Sequence, residues 1–236
     1  MPKNILVLLA GCGAKDGAEI QEAVLTLLAI KKEGCDYTCA SLNKNQKHVL
    51  NFIDDSELDQ KRNMMQESAR ISRGQIEDIA KLSMKDFDAL VIPGGFGVAK
   101  NFCTFAFEGT KASVEPEIKR IIQEAYDMKK PIGAICIAPA LVALSLAEKN
   151  PDITMTLGTQ DEANKNLTEI GVKFKSCPTS AHTVDVANKI VSSPAYMHGD
   201  SSIVELEEGI SKCIKAVVEM TYDKSSSRAA EGSVAI

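Results

Sequence analysis

The sequence predicts an α/β fold in which a mostly parallel sheet is covered by helices on both faces. Short apolar runs alternate with segments whose apolar residues recur at helical spacing, the pattern of parallel strands joined by helices. Several runs are apolar throughout, as strands buried on both faces should be. With 236 residues and 44% hydrophobic content, the chain is long enough for a full buried core. A single domain over residues 1–222 is the simplest expectation.

Five strands of this sheet are predicted, with bounds that follow the apolar runs. They are Ile5–Ala10, Asp36–Ser41, Ala89–Pro93, Pro131–Ile135 and Ile153–Leu157. Two further short runs, Thr183–Val186 and Lys189–Ser192, flank Ala187 and Asn188, which form a typical tight turn. We therefore expect a small antiparallel β-hairpin appended to the sheet.

Several helices are predicted between and after the strands. The first begins with Asp16–Glu19 (DGAE), which resembles a capping box, and ends at Gly34. Its apolar stripe consists of Ile20, Val24 and Leu28. The other helices start near Pro116 and stop before Pro131, cover Glu162–Ile170, and run amphipathically from Ile203 to Val217.

Two stretches depart from this alternation. Residues Asn43–Phe87 are long for one connection, and a helical segment around Leu58–Arg70 marks them as an inserted structure. Residues 223–236 (DKSSSRAAEGSVAI) are small and polar and lack periodicity. We expect them to form a disordered tail.

Composition narrows the classes of function. A formal net charge of −5 and a pI near 5.4 provide no basic field for nucleic acid or a membrane surface, which favours small-molecule chemistry or protein partners. Seven cysteines without a Cys-x-x-Cys pair, and only three histidines, argue against a disulfide framework and against a zinc site. Reduced thiols in the cytoplasm fit this pattern best. No apolar run approaches the roughly 20 residues that span a bilayer.

The first residues allow two interpretations. Lys3, the apolar run Ile5–Leu9 and the sequence LAGC ending at Cys12 resemble the lipid-attachment signal of bacterial lipoproteins. However, that apolar run is shorter than the ~7–15 residues of a signal peptide, and processing before Cys12 would delete the first predicted strand. We therefore interpret these residues as the end of a strand, with Cys12 in a loop.

The most informative segment is Pro131–Leu144 (PIGAICIAPALVAL), where Cys136 lies between a buried strand and a helix with Pro139 in its first turn. Such an elbow exposes the sulfur at the carboxyl end of the sheet and aims a helix N-terminus at it, which favours the thiolate. It also strains the backbone, as nucleophile elbows do. Cys136 is therefore the predicted nucleophile, and an inert core thiol is the alternative.

Two other segments supply candidate partners for Cys136. In Asp88–Phe102 (DALVIPGGFGVAKNF) a glycine turn follows a buried strand, so the N–H groups of Gly95 and Ile137 could donate to a developing oxyanion. A glycine turn without a ligand is the alternative. Glu22 lies in a largely apolar helix, so its carboxylate is functional or paired. If it points toward Cys136, burial raises its pKa and lets it share a proton with the thiolate.

These segments, in this order, resemble the PfpI superfamily of class I glutamine amidotransferase-like proteins. Within it they are most similar to the ElbB branch, the isoprenoid-biosynthesis glyoxalase or "enhancing lycopene biosynthesis" proteins. The resemblance covers Lys3 to about Thr221. It depends on the strings GCGAKDGAEIQEAVLTLLAI, RNMMQESARISRG, PGGFGVAKNF, CIAPA and SSPAYM.

The resemblance implies a flavodoxin-like three-layer sandwich, usually a homodimer. By position, Cys136 matches the elbow cysteine, Glu22 the carboxylate that hydrogen-bonds it, and Gly95 the glycine of the oxyanion site. The implied activity is glyoxalase chemistry on glyoxal or methylglyoxal, with no metal, nicotinamide or glutathione.

Many members of the superfamily carry a His-Pro dipeptide that supplies a histidine near the elbow cysteine. At this position the chain has Cys177 before Pro178. Cys177 could then lie near Cys136 and form a disulfide. A non-enzymatic redox or stress sensor, in which Cys136 oxidises or pairs with Cys177, is therefore one alternative. An inactive amidotransferase-like partner protein is the other alternative.

Three more residues are candidate accessory groups. His182 is the histidine nearest in sequence, although a histidine ahead of a hairpin is more often on the surface. Arg70 and Arg73 of the inserted segment could bind an anion over the cysteine, although such charges are usually solvated. His198-Gly199-Asp200 resembles the His-x-Glu of glutaminases only weakly, and amidotransferase activity is not expected.

Overall fold

A computed structural model describes residues 2–149, 152–159, 168 and 172–222. The strands in these ranges are β1 Asn4–Leu8, β2 Asp36–Ser41, β3 Glu77–Asp78, β4 Ala89–Ile92, β5 Ile132–Ile135, β6 Ile153–Met155, β7 Val172–Phe174, β8 Thr183–Asp185 and β9 Ile190–Ser193. The helices are α1 Ile20–Lys32, α2 Met64–Ile71, α3 Phe105–Glu108, α4 Pro116–Asp127, α5 Ala138–Leu146 and α6 Ile203–Tyr222, with a π-helical segment at Val98–Phe102.

Seven of these strands form one sheet in the order β3-β2-β1-β4-β5-β9-β8. All neighbours are parallel except β8, which is antiparallel to β9. The predicted α/β fold with a mostly parallel sheet is confirmed. Because β1, β4, β5 and β9 are parallel, the loops that follow them meet at one edge of the sheet, where open α/β folds bind their ligands.

The hydrophobic core lies on both faces of this sheet. Along β1, Leu6 and Leu8 point toward α4 and α5, whereas Ile5 and Val7 point toward α1 and α6. All four side chains are fully buried. The sheet therefore forms the middle of three layers, which explains why its central strands β1, β4 and β5 consist almost entirely of apolar residues.

Two predicted strand segments have unexpected neighbours. The predicted hairpin is present as β8 and β9, but it is an integral part of the sheet because β9 pairs with β5. The predicted strand at Ile153–Leu157 is present as β6, but it pairs with the unpredicted β7 in a separate parallel sheet of two strands. Since β9 occupies the position beside β5, the β6 segment packs outside the main sheet.

The start of α1 differs from the predicted capping box. The helix begins at Ile20, and its N-cap is Glu19, whose side chain accepts a hydrogen bond from the Glu22 N–H at 2.6 Å. Asp16 is buried and instead accepts from the N–H of Leu50 in the inserted segment at 2.8 Å. The predicted cap at Asp16 was wrong, because its carboxylate is hydrogen-bonded to the backbone of the inserted segment. The pattern of neighbouring residues does not show this distant contact.

The apolar stripe of α1 also faces the other way. Ile20, Val24 and Leu28 are 45–48% exposed, whereas Ala23 and Leu27 pack into the core. Residues four apart share a face on any side of a helix, so their spacing does not say which face is buried. An exposed apolar stripe of this length is a candidate contact surface.

The inserted segment contains α2, which overlaps the predicted helical region, and β3 at the sheet edge. Ser68 of α2 connects the insertion to the loop after β1, because its Oγ accepts from the Gly11 N–H and donates to the Leu9 carbonyl, both at 3.0 Å. The helix predicted at Glu162–Ile170, apart from Thr168, and the tail at 223–236 lie outside the described residues. Among the helices described, none combines the length and apolar content needed to cross a membrane.

Asn101 fastens the loop after β1, and its replacement should destabilise the fold. Its Nδ2 donates to the carbonyls of Ala10 and Asp16 at 3.1 and 2.9 Å, and its Oδ1 accepts from the Lys47 N–H at 2.9 Å. Asn101→Ala removes the partners of the Ala10 carbonyl and the Lys47 N–H, whereas the Asp16 carbonyl keeps its hydrogen bond from Gln46 Nε2. We therefore expect the free energy of unfolding in urea to fall by about 1–3 kcal/mol. Asn51→Ala, which removes only a local turn contact to Ile53, is the control. Equal losses in the two variants would contradict this role.

Candidate active site

Cys136 lies at the predicted elbow between β5 and α5. The strand ends at Ile135, the helix begins at Ala138, and Pro139 occupies its first turn. Cys136 has a φ of 59°, a left-handed conformation that residues other than glycine rarely adopt. Its N–H donates to the Ser193 carbonyl at 2.9 Å. The predicted backbone strain is therefore present, and the side chain, 8% exposed, is held at the sheet edge.

Glu22 meets Cys136 at this edge. Its carboxyl group is fully buried, and the Cys136 thiol is a hydrogen-bond partner. Its Oε2 accepts from the Gly94 N–H at 3.0 Å, and its Oε1 accepts from the Tyr196 N–H at 3.2 Å. The carboxyl group thus joins the segments that follow β4, β5 and β9.

Burial controls the protonation of this pair. It raises the pKa of Glu22 to about 8, and the nearby charge of Glu19 adds to the rise, although the two backbone N–H groups oppose it. Burial also raises the pKa of the Cys136 thiol, as does a charged Glu22. The direction for Glu22 agrees with the expectation. For Cys136, desolvation outweighs the donors at the start of α5 and so opposes the expected preference for a thiolate.

The glycines after β4 are required by close contact. A Cβ at Gly94 would overlap the Cβ of Cys136 and lie 2.6 Å from Oε2 of Glu22. Gly95 has a φ of 101°, and its N–H points at the Cys136 sulfur together with that of Ile137. The two groups predicted as oxyanion donors therefore lie beside the sulfur.

A cavity of about 690 Å³ opens over Cys136. Apolar side chains from Phe96, Ile137, Tyr196 and Met197 form much of its wall, and Glu19 lines it as well. Tyr196 and Met197 belong to the string SSPAYM, which carried no predicted role. Tyr196 and Met197 come shortly after a parallel strand, a position that often lines a ligand site. To predict this from the sequence, one would need to know that β9 pairs with β5.

The structure does not bring Cys177 or His182 into this cavity. The Cys177 thiol contacts the Pro178 carbonyl at 3.6 Å and the Thr183 side chain. His182 lies near Lys212 and Glu219 of α6, and burial lowers its pKa. Within the described ranges, neither residue belongs to the cavity lining.

The two candidate arginines also lie elsewhere. Arg70 forms an ion pair with Glu67 at 2.9 Å, near Cys12 rather than Cys136. Arg73 is exposed just after α2. In the part of the chain that the structure describes, neither arginine and no histidine lines the cavity. His198 instead hydrogen-bonds the Cys177 carbonyl at 2.9 Å.

The fold and the site define a class I glutamine amidotransferase-like protein with a cysteine at a strand-to-helix elbow. A family model described as the DJ-1/PfpI family matches residues 3–193. The chain belongs to the DJ-1/PfpI family. This confirms the predicted superfamily and leaves the activity open.

Named relatives cover most of the chain. It is 35% identical over 229 residues to the rat (Rattus norvegicus) "ES1 protein homolog, mitochondrial", covering 92% of this chain and 84% of the relative. It is 34% identical to the human (Homo sapiens) "Glutamine amidotransferase-like class 1 domain-containing protein 3, mitochondrial", covering 92% and 83%. A solved structure, an isoprenoid biosynthesis protein with amidotransferase-like domain from Ehrlichia chaffeensis, superimposes with a TM-score of 0.86 at 39% identity, covering 92% of this chain and 99% of that one.

Replacing Glu22 should make the Cys136 thiol more acidic. Above about pH 8 Glu22 is charged, and Glu22→Gln removes the negative charge that raises the pKa of Cys136, so the thiolate fraction rises there. We expect alkylation of Cys136 by iodoacetamide at pH 9 to become faster, by about tenfold for each unit by which the pKa falls, and to change little at pH 7, where Glu22 is already largely protonated. Mass spectrometry of the Cys136 peptide between pH 6 and 10 measures the rate. Glu33→Gln, at an exposed site after α1, is the matched control; a slower rate in Glu22→Gln than in this control would contradict the argument.

Proposed function

We propose that the protein is a cofactor-independent, glyoxalase-like enzyme that converts a 2-oxoaldehyde and water to the 2-hydroxy acid. The observation that carries this proposal is the buried Cys136–Glu22 pair at the base of an open cavity. The resemblance to the ElbB branch implies the same reaction on glyoxal and methylglyoxal. The steps below use only this pair and water, without metal, nicotinamide or glutathione.

In the first step the Cys136 sulfur adds to the aldehyde carbon, and the thiol proton passes through Glu22 to the carbonyl oxygen. The product is a hemithioacetal, whose oxygen accepts hydrogen bonds from the N–H groups of Gly95 and Ile137 as charge develops. A carboxyl group with a pKa of about 8 can both take and return a proton near neutral pH.

In the second step Glu22 moves the proton of the former aldehyde carbon to the ketone oxygen, which gives an enediol. Glu22 then takes the proton of the hydroxyl group on the sulfur-bearing carbon and delivers a proton to the neighbouring carbon. This transfer leaves a thioester of the 2-hydroxy acid on Cys136. Water then hydrolyses the thioester and restores the thiol. The sum is R–CO–CHO + H₂O → R–CH(OH)–COOH.

Variants of the pair test the proposal. Cys136→Ala should lower kcat/KM for methylglyoxal on the order of 10³-fold or more, because it removes the atom that bonds to the substrate. Glu22→Gln should lower it by about 10²–10⁴-fold, the usual contribution of a positioned acid–base group. Cys12→Ala, at a partly exposed thiol outside the cavity lining, should retain activity. Circular dichroism checks the fold, and undiminished turnover by a folded Cys136→Ala variant would overturn the proposal.

The two alternative functions have less support. A disulfide between Cys136 and Cys177 requires the two thiols to meet, and the Cys177 thiol faces Thr183 and Pro178 outside the cavity. An inactive partner protein would be favoured by a closed site, whereas the cavity over Cys136 is open.

We propose the cytoplasm as the compartment, since all seven cysteines are free thiols and reduced thiols are typical there. The word mitochondrial in the names of the rat and human relatives concerns those proteins.

We also propose that the protein forms a homodimer, as the resemblance implies. The support is the exposed apolar stripe Ile20, Val24 and Leu28 on α1, a surface that a second copy could bury. Val24→Asp should then shift the molecular mass measured by light scattering from dimer toward monomer. Val186→Asp, at a valine that is 73% exposed in the hairpin turn, is the matched control and should leave the mass unchanged. A monomeric parent protein, or a dimer that survives Val24→Asp, would contradict the proposed surface.

A further inference from the structure

The cavity over Cys136 is larger than a small 2-oxoaldehyde requires. Its volume is about 690 Å³, and cavities of roughly 300–1,000 Å³ usually bury ligands of drug size. Methylglyoxal carries only a methyl group beside its two carbonyl groups. Most of the cavity would stay filled with water around it.

The cavity wall fits an apolar group. Phe96 is 56% exposed although it lies beside the candidate nucleophile, and Ile137 and Met197 add apolar surface next to it. The Lys100 ammonium lies 5.5 Å from the centroid of the Phe96 ring, and its Nζ donates to the Lys15 carbonyl at 2.9 Å. The ring is therefore supported by the neighbouring loop, and a ligand that covers it gains apolar contact.

The charges around the cavity disfavour an anionic ligand. Glu19 lines the cavity, whereas the Glu22 carboxyl group is fully buried beside Cys136. Lys15 is the cation among the described lining residues, but its ammonium is ion-paired with Asp55 and lies 5.8 Å from the Phe52 ring centroid. A carboxylate or phosphate on the substrate would thus meet the Glu19 carboxyl group and a lysine that is already paired.

We infer that this site selects uncharged 2-oxoaldehydes with a bulky apolar substituent, such as an aryl group, over methylglyoxal, with Phe96 and Met197 as specificity-determining residues. The inference rests on the proposed function, and the bonds made and broken are the same. Sulfur adds to the aldehyde carbon at the base of the cavity. The apolar substituent on the ketone carbon then lies against Phe96 and Met197.

Steady-state kinetics with three probes test the inference: methylglyoxal, phenylglyoxal and 4-carboxyphenylglyoxal, each with Cys136→Ala as the blank. We expect kcat/KM to be at least about tenfold higher for phenylglyoxal than for methylglyoxal, mainly through a lower KM, since apolar pockets discriminate by about 10–200-fold per group. The carboxylated probe should react about tenfold less efficiently than phenylglyoxal.

Variants separate cavity recognition from the intrinsic reactivity of the probes. Phe96→Ala and Met197→Ala should each lower kcat/KM for phenylglyoxal by about tenfold and leave methylglyoxal within about twofold. Phe107→Ala, at a phenylalanine that is 52% exposed and outside the cavity lining, should change neither value. Equal efficiencies for the two probes, or parallel losses for both in the cavity variants, would overturn the inference and leave the proposed function intact. Absence of Cys136-dependent turnover with every probe would overturn the proposed function itself.

Discussion

The buried carboxyl group of Glu22 is the interaction on which the site depends. Burying such a group costs free energy unless it is hydrogen-bonded or protonated, and here it is bonded to the N–H groups of Gly94 and Tyr196 and to the Cys136 thiol. Its pKa of about 8 in the fold exceeds the ordinary value of 4.5, so as pH rises the unfolded chain loses this proton before the folded one. The stability that the proton contributes is therefore fully present below about pH 4.5 and is lost as pH rises through 8. Burial of the Glu22 carboxyl group thus lowers the stability of the fold above about pH 8, and it also lets the group exchange a proton near neutral pH.

The backbone around this carboxyl group is strained where the strands end. Cys136 and Ala195 have φ values of 59° and 45°, although neither is a glycine, and such conformations cost roughly 1–3 kcal/mol each. The strain has a geometric result. The strained conformation of Cys136 turns its sulfur toward Glu22. Ala195 directly precedes Tyr196, whose N–H donates to the same carboxyl group. Both residues follow fully buried strands, whose packing holds the unfavourable conformations in place.

The sequence predicts features that depend on burial along a strand or on a polar residue in an apolar segment. The apolar run that forms β5 indicated the elbow at Cys136, and the carboxylate in an otherwise apolar helix indicated Glu22. Features that depend on distant pairing could not be predicted in this way. The roles of Tyr196 and Met197 require β9 to lie beside β5, and Asp16 is occupied by the inserted segment. Cys177 lies before a proline, where many superfamily members have a histidine, but its thiol contacts Thr183 and the Pro178 carbonyl and does not reach the cavity.

The rotation of helix α1 about its axis decides which of its side chains face Cys136, the core and the outer surface. Glu19 and Glu22 are three residues apart and so lie on one side of the helix, where the charge of Glu19 helps to raise the pKa of Glu22. The hydrogen bond from the Glu22 N–H to the Glu19 carboxylate fixes where the helix begins. A start one residue later would rotate the helix by about 100° relative to the sheet and point a different side chain at Cys136. The cap of α1 therefore positions the carboxyl group of Glu22, and the same setting leaves Ile20, Val24 and Leu28 at the surface.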